Sequence, residues 1–147
     1  MTVSAIPTGY PRVSPYLIVD DAAATLAFMT RVLDGEPLGQ HTLPDGRIMH
    51  AEVRIGDSVV MVGGATPDWP AVPAALHIYV RDVDATYRRA LEAGAQSVTA
   101  PETKPYGDRS AYVTDASGTM WFISTRVEDV PADELARRMS GGGAGAS

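Results

Sequence analysis

The segment Val19-Asp20-Asp21-Ala22-Ala23-Ala24-Thr25-Leu26 is echoed by Val80-Arg81-Asp82-Val83-Asp84-Ala85-Thr86-Tyr87. Val19/Val80, Asp21/Asp82, Ala24/Ala85 and Thr25/Thr86 each stand 61 positions apart. Each copy opens on a β-rich run, passes an acidic helix start, and continues into a helix and further strands. A tandem β-α-β-β-β unit restricts the chain to the α+β class. The expected form is a cupped mixed sheet built from two half-sheets, with helices on its outer face. Function then belongs on the strand faces that line the shared cleft.

A chain of 147 residues suits one domain with a real core. The net charge of -6 and a pI near 4.9 argue against nucleic acid as a partner, because phosphate affinity needs a basic surface. Cysteine is absent, so disulfides, thiolate metal sites and cysteine nucleophiles are excluded. No apolar stretch is long enough to span a bilayer. Met1 to Gly9 lack the charged start and apolar centre of a signal peptide. A cytoplasmic protein with no membrane partner is expected.

Residues 1–11, with Pro7, Gly9 and Pro11, read as an irregular arm. Residues 12–127 form the expected domain, in modules 12–64 and 74–127. The first module reads as a strand over 13–19, a helix capped by Asp20 or Asp21, and strands over 37–43, 47–55 and 58–62. Leu26, Met29, Val32 and Leu33 recur at helical spacing, and Gly35 ends that helix. Pro44-Asp45-Gly46 is a turn signal between strands. A Gly- and Pro-rich linker over 63–73 carries Trp69. The second module reads as a strand over 75–80, a helix with Tyr87, Ala90 and Leu91 on its apolar face, a short strand over 97–100, a loop over 101–108, and strands over 109–114 and 119–125. Residues 128–147 comprise a short helix over 131–139 and a Gly/Ala/Ser tail over 140–147 expected to be disordered.

Four segments together resemble the vicinal oxygen chelate superfamily, which includes glyoxalase I, extradiol dioxygenases and bleomycin-resistance proteins. Tyr16-Leu17-Ile18-Val19-Asp20-Asp21 leading into Leu26-Ala27-Phe28 looks like its first strand and helix. His77-Ile78-Tyr79-Val80-Arg81-Asp82-Val83-Asp84 looks like the start of its second module. Asp115-Ala116-Ser117-Gly118-Thr119-Met120-Trp121 resembles the turn before its last strand, with Ala116 and Thr119 replacing the usual proline and asparagine. Pro44-Asp45-Gly46-Arg47-Ile48-Met49-His50-Ala51-Glu52 looks like the branch often called PhnB-like. The resemblance spans residues 12–127 and implies a homodimer. The 63–73 linker is long enough for modules to pair across subunits.

Alternation then sorts the strand faces. Met49, Ala51, Val53 and Ile55 should meet a helix, leaving His50, Glu52 and Arg54 on the cleft side. Leu76, Ile78 and Val80 should likewise face a helix, with Ala75, His77 and Tyr79 opposite. Ser14, Tyr16 and Ile18 share one face. Tyr16, Trp69, Tyr79 and Phe122 are candidate aromatic walls for a flat ligand. Arg109, in the lip Tyr106-Gly107-Asp108-Arg109, is a candidate partner for an anionic group.

The resemblance places the usual chelating positions near Ser14, Met61, Ala75 and Phe122. Serine is a poor ligand for a divalent metal, and the other three cannot serve. The reading is a small-molecule binder or sequestering protein with no cofactor. The alternative is a divalent metal relocated to His50, Glu52 and His77, supporting lyase, isomerase or dioxygenase chemistry. His41 joins that alternative if Asp45-Gly46 is a two-residue turn, which sets His41 opposite His50; a three-residue loop would break that pairing. His50 and Glu52 also suggest acid–base work. Their strand positions are ~7 Å apart by the rise per residue, which argues against a direct hydrogen bond between them.

Overall fold

The computed structural model describes residues 2–142. It divides into two compact units: residues up to Ala74 with the turn Asp115–Gly118, and Ala75–Thr114 with the residues from Thr119 onward. The first unit runs β1 (Tyr16–Val19), α1 (Ala22–Val32), β2 (Glu36–Thr42), β3 (Ile48–Ile55) and β4 (Ser58–Gly64). The second runs β5 (Ala75–Tyr79), α2 (Val83–Glu92), β6 (Gln96–Thr103), β7 (Asp108–Thr114), β8 (Met120–Arg126) and α3 (Ala132–Gly142). Each module makes its own mixed four-stranded sheet, ordered β1-β4-β3-β2 and β5-β8-β7-β6. The first strand of each pairs parallel to the last.

The repeated acidic residues do the same work twice. Asp21 caps α1 by accepting from the Ala24 amide at 3.0 Å, and Asp82 caps α2 through the Ala85 amide at 3.1 Å. Thr25 and Thr86, one turn on, are both buried. In the first unit α1 packs on β1, β3 and β4. Its buried Phe28, Met29 and Val32 meet a strand surface whose Ala51, Val53, Val60 and Val62 are also buried. Each of the larger of these side chains, Phe, Met or Val, contributes roughly 1.5–3 kcal/mol when fully removed from water. In the second unit Ala111, Val113, Trp121 and Ile123 form the corresponding buried set. The apolar face of α2 is Val83, Thr86 and Ala90, not the expected Tyr87, Ala90 and Leu91. Leu91 is exposed, and Tyr87 donates to the Ser97 hydroxyl at 2.7 Å. Burial of the repeated threonine fixes the rotation of this helix.

Element ends differ from the expectation where proline intervenes. β1 starts at Tyr16 rather than Val13, because Pro15 has no amide to give a ladder and Val13 lies exposed. β6 continues to Thr103 through Pro101, in place of the loop expected from 101. It is an edge strand, and its register is broken between Thr99 and Glu102, so the missing amide interrupts no bond there. The hairpin loop has three residues, closed by Leu43 donating to the Arg47 carbonyl at 2.8 Å, with Gly46 at φ 91°. His41 nevertheless pairs with His50, because a bulge between His41 and Thr42 restores the register that the longer loop displaces. Helix α3 carries on through Ser140–Gly142, beyond the expected end at 139. Of the tail expected over 140–147, residues 143–147 lie outside the described residues. Among the described residues no helix is long and apolar enough to cross a membrane.

Candidate functional site

The strand face of the first unit that points away from α1 carries Tyr16, His50, Glu52 and Arg54, as alternation predicts. Register places Tyr16 beside Met61 on β4, Met61 beside Glu52 on β3, and His50 beside Gly63. Tyr16 does not stand upright over its own row. Its ring lies across Gly63, where an added Cβ would come within 2.9 Å of the ring and 3.0 Å of the phenol oxygen. That lean brings the Tyr16 hydroxyl to 3.1 Å from His50 Nδ1. The rings sit 5.6 Å apart, tilted by 36°.

His50 Nε2 lies 2.9 Å from Glu52 Oε2. This corrects the expectation that i and i+2 on a strand are too far apart to bond. The strand rise separates the backbones, whereas both side chains lean along the strand and close the gap. Tyr10, in the N-terminal arm, donates its hydroxyl to the other Glu52 oxygen, Oε1. Arg54 donates to the Gly9 carbonyl at 3.0 Å, so the arm is held on this face at two adjacent residues. The result is one unbroken chain of hydrogen bonds, Tyr16–His50–Glu52–Tyr10. Hydrogen bonds first from His50 and then from Tyr10 hold the Glu52 carboxyl below its ordinary range. The same bond raises the Tyr10 phenol above its own.

The second unit repeats this geometry with different chemistry. The 61-residue spacing relates Tyr16 to His77 and Gly63 to Ser124. His77 Nε2 lies 3.0 Å from Ser124 Oγ, which lies 2.7 Å from Ser110 Oγ. Both serines are buried, so the pair satisfies itself beneath the imidazole. Tyr79 packs edge-on to His77 at 4.7 Å and donates to Asp108 Oδ2 at 2.8 Å, which raises its phenol pKa. Asp108 Oδ1 is buried without a hydrogen-bond partner among the described residues, and Arg126 approaches it only to 3.9 Å. Phe122 stacks edge-to-face on Tyr112 at 4.8 Å. An open hollow of about 700 Å³ is lined by Tyr79, Val80, Arg81, Thr125 and Arg126. That volume falls within the range of small-molecule sites.

Arg109 and Trp69 are each held by local contacts. The Arg109 guanidinium forks onto Asp84 in the first turn of α2, at 2.8 and 3.0 Å. The bidentate pair sets that charge on the helix side of the sheet. Trp69 is 69% exposed in a Thr66–Trp69 turn, held by backbone bonds and by the Thr66 hydroxyl. Tyr10, Gly63, Ser110 and Ser124 were not among the expected site residues, and Asp108 entered only as part of the lip Tyr106-Gly107-Asp108-Arg109. The 61-residue spacing was a usable signal for Gly63 and Ser124. Nothing local shows where an arm such as 2–11 will lie.

The usual chelating positions of the resemblance do not fit a divalent metal. Met61 and Phe122 sit in their sheets as hydrophobic neighbours of Tyr16 and His77. Ser14 and Ala75 add at most one weak oxygen ligand. Among the described residues no group of three or more His, Cys, Asp or Glu is placed to hold a metal ion. Within the first unit His50 and Glu52 bond to each other, and within the second His77 bonds to Ser124.

Comparison with known proteins agrees with this architecture. An uncharacterised protein of Mycobacterium bovis is 38% identical over 146 residues, covering 92% of this chain and 96% of its own. An uncharacterised protein of Mycobacterium tuberculosis is 38% identical over 146 residues, covering 92% of this chain and 86% of its own. Among solved structures, TioX from Micromonospora sp. ML1 superposes with a TM-score of 0.67 at 24% identity, over 80% of this chain and 99% of its own. TnmS3, an antibiotic binding protein from Streptomyces sp. CB03234, superposes with a TM-score of 0.60 at 21% identity, over 80% of this chain and 99% of its own. The model of the Glyoxalase/Bleomycin resistance protein/Dioxygenase superfamily matches residues 10–123. With that match, the doubled βαβββ architecture and its two equivalent strand faces, this chain belongs to the Glyoxalase/Bleomycin resistance protein/Dioxygenase superfamily.

Proposed function

We propose that this protein binds or sequesters an organic small molecule on its helix-free strand faces, without the metal chelate that gives the superfamily its chemistry. One observation carries the reading. The chelating positions hold Ser14, Met61, Ala75 and Phe122, while neighbouring positions on the same faces present exposed aromatic rings. Tyr16 is 52% exposed and Tyr79 59% exposed, each with its hydroxyl fixed by a hydrogen bond. A ring whose polar end is already oriented costs little entropy to use in binding. The antibiotic-binding TnmS3 shares the fold and supports the reading. The hairpin over 44–52 suggests the PhnB-like branch, and the reading includes a cytoplasmic homodimer.

A thermal-shift screen against glycopeptide, polyketide and aromatic compounds tests the binding reading, and at least one class should raise the melting temperature. A screen in which none does so would refute it. Elemental analysis after dialysis against nickel, cobalt, zinc or manganese tests the metal-free part, and near-stoichiometric retention would overturn it. Light scattering that gives a monomer at micromolar concentration would remove the dimer.

A further inference from the structure

The Tyr16–His50–Glu52–Tyr10 chain has a direction that ligand binding alone does not require. An ionised carboxylate only accepts hydrogen bonds, and Glu52 is held ionised by two donors. His50 Nε2 must therefore carry the proton shared with Glu52. In the neutral imidazole that leaves Nδ1 as an acceptor, and the Tyr16 hydroxyl donates to it. With the imidazole neutral, every donor points inward to Glu52. The end of the chain remote from Glu52 is then the Tyr16 oxygen, on a side chain whose residue is 52% exposed. Among the described residues, the charged or titratable neighbours on this face are His41, in register with His50, Arg54, which is bonded to the Gly9 carbonyl, and Glu36, in register with Arg54. Gly63 and Met61 on β4 bring no charge.

We infer that Tyr16, His50, Glu52 and Tyr10 form a metal-free proton-accepting site for a small molecule carrying an acidic O–H, an enol or a phenol, which is bound as its anion. The inference rests on the small-molecule reading above. In the step, the O–H bond of the ligand breaks and its proton joins the Tyr16 oxygen. The original hydroxyl proton of Tyr16 passes to His50 Nδ1. The imidazolium is held by the Glu52 carboxylate at 2.9 Å, and Tyr16 now donates to the ligand oxyanion. No electron is gained or lost, and no co-reactant is needed. A permanent ammonium would use only the outer oxygen, and a permanent carboxylate would need His50 protonated from solvent beforehand. A ligand with its own acidic proton satisfies both states of the chain. Gly63 is a positioning residue, because only an absent side chain lets the Tyr16 ring lie down toward His50.

The test uses the full chain with 4-nitrophenol, whose anion alone is yellow, and 4-nitroanisole, which has the same shape without the acidic proton. At a pH where free 4-nitrophenol is mostly protonated, the bound probe should show the anion absorbance. Loss of one charge-assisted hydrogen bond corresponds to roughly a 10-fold change in affinity, so nitroanisole should bind about 10-fold more weakly. Tyr16→Phe and His50→Gln should remove that preference and the colour. Gly63→Ala should reduce both while Tyr16 and His50 remain present, and the wild-type comparison of the two probes needs no variant to fold. Equal binding of the two probes, binding of nitrophenol in its protonated form, or no binding of either would overturn the inference. Hits in the thermal-shift screen alongside any of these results would sink the acidic O–H alone, whereas an empty screen would sink the binding reading itself.

Discussion

Gly107→Ala should be among the most damaging single-methyl additions to the second unit. Gly107 has φ 101°, in the region that disfavours any residue with a side chain. A Cβ there would stand 2.2 Å from the Glu128 carbonyl oxygen, a backbone atom with no rotamer to escape into. The Gly107 carbonyl also accepts from the Val127 and Glu128 amides at 2.9 and 3.1 Å, so the contact cannot open without straining both bonds. The dihedral strain is on the order of 1–2 kcal/mol. Loss of the two hydrogen bonds adds about 1 kcal/mol each. The expected cost is therefore roughly 3–4 kcal/mol, or a fall in melting temperature of roughly 6–16 °C for a chain of this size. Gly118→Ala is the control. It shares a positive φ, 87°, but its Cβ would meet nothing within 4 Å. It should lose only the dihedral strain, about 1–2 kcal/mol. Calorimetric scans of the two variants side by side isolate the backbone clash. Equal losses would show that the Gly107–Glu128 approach carries no energy, and the reasoning would fail.

The caps of the two helices should behave as equals: Asp21→Ala and Asp82→Ala should each cost about 1 kcal/mol in urea unfolding, and a large difference would mean that the repeated aspartates differ in role. Trp121→Ala, at 1% exposure, should cost about 3–5 kcal/mol by the same measurement; a cost under 1 kcal/mol would place Trp121 outside the core. The pH dependence follows from Glu52, whose folded pKa lies below its unfolded value. Its contribution is therefore fully present above the unfolded carboxyl pKa and is lost as pH falls through the folded one. Glu52→Gln should flatten the acid limb of a stability–pH curve, and an unchanged limb would rule out the His50 and Tyr10 bonds as its cause.

The duplication was legible because two aspartates must cap two helices, and the cap sits at a fixed place relative to the strand before it. The strand faces were legible from alternation alone, which is why Tyr16, His50, Glu52 and His77 could be named together. The partners within a face were not. Whether His50 reaches Glu52 depends on side-chain lean, and strand spacing measures only backbones. The lean of Tyr16 depends on a missing Cβ at Gly63 on a strand whose partner strand is about 45 positions earlier in sequence, a long-range fact. The Asp84 partner of Arg109 was not legible, because a guanidinium in a strand next to a loop looks free until the acidic first turn of α2 is placed beside it. Pro101 signals a break in any local reading, yet an edge strand with a register shift has no ladder bond there to lose.

Positions 63 and 124 are counterparts in a shared frame, one holding an empty space that admits a ring and the other a hydroxyl that anchors an imidazole. The repeated topology thus provides two equivalent mounting points, and a single side chain at each determines which fitting it accepts. Recognition in such a scaffold can diverge between halves by small exchanges at the mount, while the strands that carry it stay in step.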